Sequence, residues 1–297
     1  MSDSPPSTST HGVNAGPTSW LEIVLLGIAS ILAFAPLMVW LYDAASKESQ
    51  ILHAFIVLGF AGVMLTLDQR EKVRLQPIMG RPVLFAVALS TLFLLTGFIL
   101  KISVLYPIAL TAMIFAWLHI FLGNSFPRIA YGWTLAFCVF LLLVIVFPTI
   151  DWPLRMLAGH NADWIFKNLG VETKLGLFED TTSNTIKLIF VVDGRPFEVA
   201  PECNGFGVMG SAVLLASLLA VARGSRVITA CLTVAGALLL GYLANTLRIV
   251  IILILAPLVG EHYFVMHEIV GTVTFLGTLF LIWRLWAPKR KIPLEPK

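Results

Sequence analysis

Three side chains capable of joint chemistry stand in or beside apolar runs: Cys203, Arg248 and His267. Cys203 lies in Ala200-Pro201-Glu202-Cys203-Asn204-Gly205, where Pro201 and Gly205 bracket a sharp change of chain direction. A thiol near a helix N-terminus feels the positive end of the macrodipole, which raises its thiolate fraction. Arg248 sits inside the almost wholly apolar stretch 241–260. An ionised guanidinium near a membrane centre costs roughly 3 kcal/mol on insertion scales, so it is expected to face a partner or a wet cavity. Asn245 is three residues earlier on the same helix face. His267 opens a further apolar run in Met266-His267-Glu268-Ile269-Val270-Gly271. Cysteine can attack a carbonyl, histidine can carry the proton, and arginine can stabilise the oxyanion. The set therefore points to acyl transfer with a cysteine nucleophile.

Each residue also has a plainer reading. Cys203 can be a structural cysteine in a turn, Arg248 an arginine that snorkels to headgroups, and His267 an interfacial histidine bonded to backbone. His262 is a competing imidazole, in the more exposed loop 260–264. What favours the catalytic reading is depth, and depth depends on the elements that carry the three residues.

Of the 297 residues, 58% are hydrophobic and 12% charged. A soluble domain carries about twice that charged fraction. Only helices and closed barrels satisfy backbone polar groups in lipid, and barrel strands alternate in polarity. Here the apolar runs are continuous, so the expected fold is an all-α polytopic membrane protein. It has about eight transmembrane helices, with a small extracytoplasmic helix-plus-hairpin insertion between spans five and six. A span needs about 20 apolar residues. The eight are read as 20–42, 51–67, 82–100, 104–122, 131–147, 205–222, 227–255 and 265–286, with Pro257 ending the overlong seventh.

Arg70, Lys72, Arg74 and Arg81 lie between the second and third spans, and Arg128 between the fourth and fifth. Arg223 and Arg226 lie between the sixth and seventh, and Lys289, Arg290 and Lys291 follow the eighth. Eight spans put all four groups on one side, the cytoplasm by the positive-inside bias, together with both termini. Cys203 and His267 then fall at the opposite face. Arg248 is 22 residues beyond Arg226, so an upright helix lifts it about 33 Å, to the same face. The expected organisation is a disordered cytoplasmic tail (1–19), helices one to five (20–147), the insertion (148–202), helices six to eight with the active site (203–287), and a cytoplasmic tail (288–297). Within the insertion, 153–169 reads as an amphipathic helix along the interface. Asp193-Gly194 between β-prone runs 185–192 and 195–199 reads as a hairpin. It would deliver Glu202 and Cys203 to the mouth of the sixth span.

Other classes are poorly served. The net charge of +3 is scattered and offers nucleic acid no basic stripe. The three cysteines, Cys138, Cys203 and Cys231, make no CxxC and no zinc set, so no metal or other cofactor is expected. Cys138 and Cys231 read as small core hydrophobes. No internal repeat supports an inverted-repeat transporter.

The same residues resemble the exosortase/archaeosortase family of membrane cysteine transpeptidases. The likeness rests on Cys203-Asn204-Gly205 opening one span, Asn245…Arg248 late in the next and His267…Gly271 opening the one after. Upstream it includes Asp151-Trp152-Pro153-Leu154-Arg155, Leu169-Gly170-Val171 and Phe197-Glu198-Val199. It covers roughly 131–286. The resemblance implies Cys203 as nucleophile, Arg248 as transition-state support and His267 as acid/base, with Asn245, Asn204 and Glu202 as supporting residues. It implies substrates that are secreted proteins ending in a short motif, a hydrophobic helix and a basic cluster. It also implies a lipid or glycan acceptor at the surface of the plasma (inner) membrane. Many bacterial members carry Ser or Thr after the cysteine, where this chain has Asn204. The rival readings are another cysteine membrane enzyme (an acyltransferase or a simple protease), an anion transporter using Arg248, and a non-catalytic scaffold.

Overall fold

A computed structural model describes residues 20–68, 80–122, 127–180, 185–192, 194–199, 201–259 and 262–287. The tails 1–19 and 288–297, and with them Lys289, Arg290 and Lys291, lie outside the described residues, as do Arg70, Lys72 and Arg74. Eight α-helices are present among those described: α1 (Trp20–Lys47), α2 (Ser49–Asp68), α3 (Arg81–Leu100), α4 (Leu105–Leu122), α5 (Pro127–Asn168), α6 (Phe206–Ala222), α7 (Val227–Val259) and α8 (Tyr263–Trp286). Six are long and apolar enough to cross a membrane. α2 and α6 carry shorter apolar stretches, Ser49–Met64 and Phe206–Ala222. The chain is an all-α polytopic membrane protein with a small sheet.

The bundle is built around α6. Its sequence is apolar on every side, and 13 of its 17 residues are buried. A helix without a polar face belongs in a core, and α6 packs against α2, α5, α7 and α8. Lipid offers no hydrophobic drive between helices, so close approach of small residues and interhelical hydrogen bonds matter more. A methyl at Gly241 of α7 would lie 3.1 Å from the Met209 backbone of α6. A methyl at Gly62 of α2 would fall inside the Trp133 ring of α5, 1.9 Å from its nearest carbon. The same indole donates to Thr66 Oγ1 at 3.2 Å. The peripheral helices are tied likewise: Trp117 donates to Ser30 Oγ at 3.3 Å across α4 and α1, and Ser90 to Ala109 O at 2.7 Å across α3 and α4.

Three expectations about the elements change. The amphipathic helix expected at 153–169 is no separate element but the continuation of α5, which runs 42 residues through Pro148 and Pro153. Each proline forfeits one backbone hydrogen bond, a loss that packing on both sides outweighs: Phe147 and Ala158 are buried in two different cores. Pro257 does not end α7; it stands in the last turn, and the helix continues to Val259. The expected two-stranded hairpin is part of a three-stranded antiparallel sheet, β1 (Thr173–Asp180), β2 (Thr185–Val192) and β3 (Arg195–Glu198), in the order β1-β2-β3.

The sheet docks on the far end of α5. Leu188, Phe190 and Val192 alternate along β2 and bury one face against Ala158, Ala162 and Phe166, the period-2 pattern of a half-buried strand. Gly159 permits the approach: a methyl there would be 3.1 Å from a Leu175 methyl and 3.3 Å from a Leu188 methyl. Cys203, Ile249 and Leu253 belong to this same core. The sheet thus forms one wall of the neighbourhood in which Cys203 sits.

Candidate active site

Between the sheet and α6, residues Pro201–Asn204 form a single 3-10 turn. Gly205 follows in the left-handed region with φ 79° and serves as the N-cap of α6. Cys203 is therefore not on the helix but in the elbow before it, and it is buried, 7% exposed.

The elbow is held from three directions. Asn204, 1% exposed, accepts the Phe206 N–H on Oδ1 at 2.7 Å and donates through Nδ2 to Asp151 Oδ1 of α5. Asp151 is in turn paired with Arg155 one turn along, whose Nε donates at 3.1 Å and whose Nη2 bonds the second oxygen. Asn245 of α7 donates through Nδ2 to Cys203 O at 3.0 Å. Gln50 of α2 accepts the Gly207 N–H on Oε1 at 2.9 Å, which satisfies one of the orphan donors of the first turn of α6. Asn245 Oδ1 is a buried acceptor with no hydrogen-bond partner among the described residues.

The reactive groups converge from three elements. Cys203 Sγ lies 3.7 Å from His267 Nε2, within hydrogen-bonding distance for sulfur. His267 is in the second turn of α8, and the Tyr263 ring lies 6.0 Å from its own, centroid to centroid. Tyr263 and Cys203 line the same small space beneath the sheet. Arg248 is buried, 9% exposed, and does not snorkel to the surface. Its guanidinium rests against α8 at Gly271, one turn beyond His267: a methyl there would be 2.9 Å from Nη2 and 3.1 Å from Cζ. Arg248 and Gly205 also share the wall of a cavity of about 290 Å³ between α2 and α8.

Of the six residues singled out in the sequence, Cys203, His267, Asn204 and Asn245 meet directly at the elbow, and Arg248 joins them through Gly271 and the shared cavity wall. The Glu202 side chain lies outside the described residues. His262 is exposed at the N-cap of α8. Cys138 is half-buried and Cys231 exposed, so the core placement expected for both does not hold for Cys231; an exposed, lipid-compatible thiol suits a helix face in a bilayer. No cluster of three His, Cys, Asp or Glu able to hold a metal occurs among the described residues. A cavity of about 850 Å³ lies between α1, α3, α4 and α5 and is lined by none of these residues.

Sequence reasoning gave no role to Gln50, Asp151 or Tyr263. A lone Gln near the start of the apolar α2 was the available signal for Gln50. For Asp151 and Arg155 it was their spacing of four on one helix face.

Chemically, the arrangement can generate a thiolate beside an imidazole, with a guanidinium close by and the cysteine carbonyl pinned. The matching family model is described as transmembrane exosortase and covers residues 40–284. No curated protein and no solved structure matches the chain.

Proposed function

Because the chain belongs to the transmembrane exosortase family, we propose that it is a membrane-embedded cysteine transpeptidase that cleaves a C-terminal sorting signal from secreted proteins. Cys203 is the nucleophile, His267 the acid/base and Arg248 the oxyanion support. The observation that carries this reading is the 3.7 Å contact between Cys203 Sγ and His267 Nε2, made by residues 64 apart in the chain.

His267 takes the thiol proton, and Sγ attacks the scissile carbonyl carbon, forming the C–S bond. Negative charge gathers on the carbonyl oxygen, where a buried guanidinium stabilises it more than water would. As the C–N bond breaks, the imidazolium gives its proton to the leaving amine. The thioester is then resolved by a second nucleophile, whose proton returns to His267. Asn204, Asn245 and Asp151 hold the elbow and so keep Sγ in line. The charge pattern of the loops supports a plasma-membrane protein with both termini cytoplasmic and the site at the outer face. The acceptor is a lipid or glycan at that surface.

The test is processing of an epitope-tagged secreted protein that ends in motif, apolar helix and basic cluster, encoded by the same genome and co-expressed with the full chain. Cys203→Ala, Arg248→Ala and His267→Ala are each expected to accumulate the uncleaved form at normal membrane abundance. Normal processing by Cys203→Ala would rule out the nucleophile assignment. Release of a cleaved product without transfer would make the enzyme a protease.

A further inference from the structure

Two spaces of different character flank the Cys203 elbow. Under the sheet is a narrow slot of about 20 Å³, lined by Ala162, Phe197, Val199, Cys203, Ile252 and Tyr263. On the other side is the cavity of about 290 Å³ between α2 and α8, with Arg248 and Gly205 in its wall. Its α2 rim carries Ser49 and His53, and its α8 rim Glu268 and Thr272. Each pair is four residues apart and so shares one helix face. Elsewhere both helices show apolar side chains outward, among them Leu52 and Ile56 on α2 and Ile269 and Val273 on α8. Ser49 stands at the head of this seam, and His53, Glu268 and Thr272 lie within the apolar spans, where polar side chains are costly facing lipid but can serve a bound polar group when they line a cavity. Further along the seam, the His53 and Phe275 rings approach to 5.6 Å and narrow it.

The geometry points to the α2–α8 cavity as the subsite for the part of the substrate that leaves, and for the nucleophile that later replaces it. The ligand class is a polar segment joined to an apolar, membrane-embedded chain. This inference rests on Cys203 being the nucleophile, and it adds where the two halves of the substrate lie.

Proton bookkeeping puts both groups on one side. In acylation the C–S bond forms, the C–N bond breaks, and the leaving amine takes a proton from His267. In deacylation the acceptor X–H gives its proton to the same imidazole, the C–X bond forms, and the C–S bond breaks to return the thiol function. One imidazole serves both transfers, so the acceptor enters where the amine left. The leaving segment continues into a membrane helix. It therefore needs a lateral mouth between transmembrane helices, with hydrogen-bonding groups for its last non-helical backbone. The α2–α8 seam offers both. The slot under the sheet is much smaller and lies on the side of the extramembrane sheet, which suits the residue that stays on sulfur.

The experiment uses the full chain in phosphatidylcholine vesicles, with Cys138→Ala and Cys231→Ala so that Cys203 is the only thiol. Two alkylating probes are compared: N-hexadecylmaleimide, delivered from the bilayer, and iodoacetamide, delivered from water. Thr272→Trp and Ser49→Trp, which fill the seam from opposite helices, are each expected to slow the lipid-borne probe at least tenfold. The iodoacetamide rate stays within about threefold, which also reports an intact elbow. Leu157→Trp, in the separate groove between α5 and α7, leaves both rates unchanged. A lipid-borne rate unaltered in both seam variants, or equal slowing of the two probes in both, would overturn the assignment. An unsubstituted Cys203 that reacts with neither probe would instead remove the nucleophile, and this inference with it.

Discussion

Arg248 of α7 lies against Gly271 of α8, where no side chain stands in its way. A methyl group there would meet Nη2, Cζ and Nε at 2.9, 3.1 and 3.2 Å. Real Cβ atoms essentially never come closer than about 3 Å, so Gly271→Ala must push the guanidinium aside. Gly271 has helical backbone, and its exchange for alanine is favourable by about 1 kcal/mol on propensity alone. The two effects can therefore be told apart. Gly271→Ala is expected to keep or raise thermal stability in detergent while lowering kcat/KM for the sorting substrate at least tenfold. An activity within twofold of the unsubstituted enzyme would mean that Arg248 does not need this seat.

Gly205 and Gly194 separate backbone strain from contact. Both have positive φ, 79° and 76°, where a Cβ costs about 1–2 kcal/mol. Nothing lies within 4 Å of a methyl at Gly194, whereas at Gly205 it would be 2.6 Å from the Asn245 amide. Gly194→Ala is thus expected to cost only the strain. Gly205→Ala adds a clash with the residue that pins Cys203 O, and is expected to abolish processing. Equal effects of the two substitutions, measured by thermal unfolding and by processing, would show that the Asn245 contact is immaterial.

Asn204 makes two hydrogen bonds from a fully buried position, one within the elbow and one to Asp151. Asn204→Ala orphans the buried Phe206 N–H, at about 1–3 kcal/mol, and takes one hydrogen bond from the half-buried Asp151 carboxylate, which keeps its pairing with Arg155. Asn204→Ser keeps a hydroxyl able to accept the Phe206 N–H but is too short to replace the Asp151 bond in full. The expected order of thermal stability and of kcat is Asn, then Ser, then Ala. A double-mutant cycle of Asn204→Ala with Asp151→Ala should show coupling of about 0.5–3 kcal/mol. Strict additivity would dissolve the clamp.

How much of this was legible beforehand follows from the kind of signal each feature carries. The helices were, because continuous apolar runs broken by short polar segments leave few alternatives, and β2 and β3 were, because Asp193-Gly194 sits between β-prone runs. The family resemblance drawn from Cys203, Asn245…Arg248 and His267 agrees with the matching family model. β1 was missed because Gly176 and the adjacent Leu177-Phe178 pair interrupt the alternation of apolar and polar residues that marks a strand. The length of α5 was missed because Pro148 and Pro153 read locally as breaks, while the packing that outweighs them is tertiary. The polar contacts to the elbow were invisible for the same reason: Gln50 meets Gly207 across 157 residues, and no local pattern encodes such a pair.

Gln50 supplies the last prediction. It is 5% exposed, and its Oε1 accepts the Gly207 N–H at 2.9 Å. The first turn of a helix has donors with no intrahelical acceptor, and in a buried site water cannot replace a lost partner. The contact also joins α2, the helix bearing Ser49 and His53, to the helix that the elbow starts. Gln50→Leu keeps the volume and removes the acceptor, so the Gly207 N–H is orphaned at about 1–3 kcal/mol. Gln50→Glu keeps an acceptor and places a negative charge at the helix N-terminus, where the macrodipole favours it. Thermal unfolding and processing should both fall for the leucine variant and recover at least half-way for the glutamate variant. If leucine and glutamate behave alike, the hydrogen bond is not what ties α2 to the elbow, and packing of the Gln50 stem against Gly207, where a methyl would sit 3.4 Å from Cβ, is the tie.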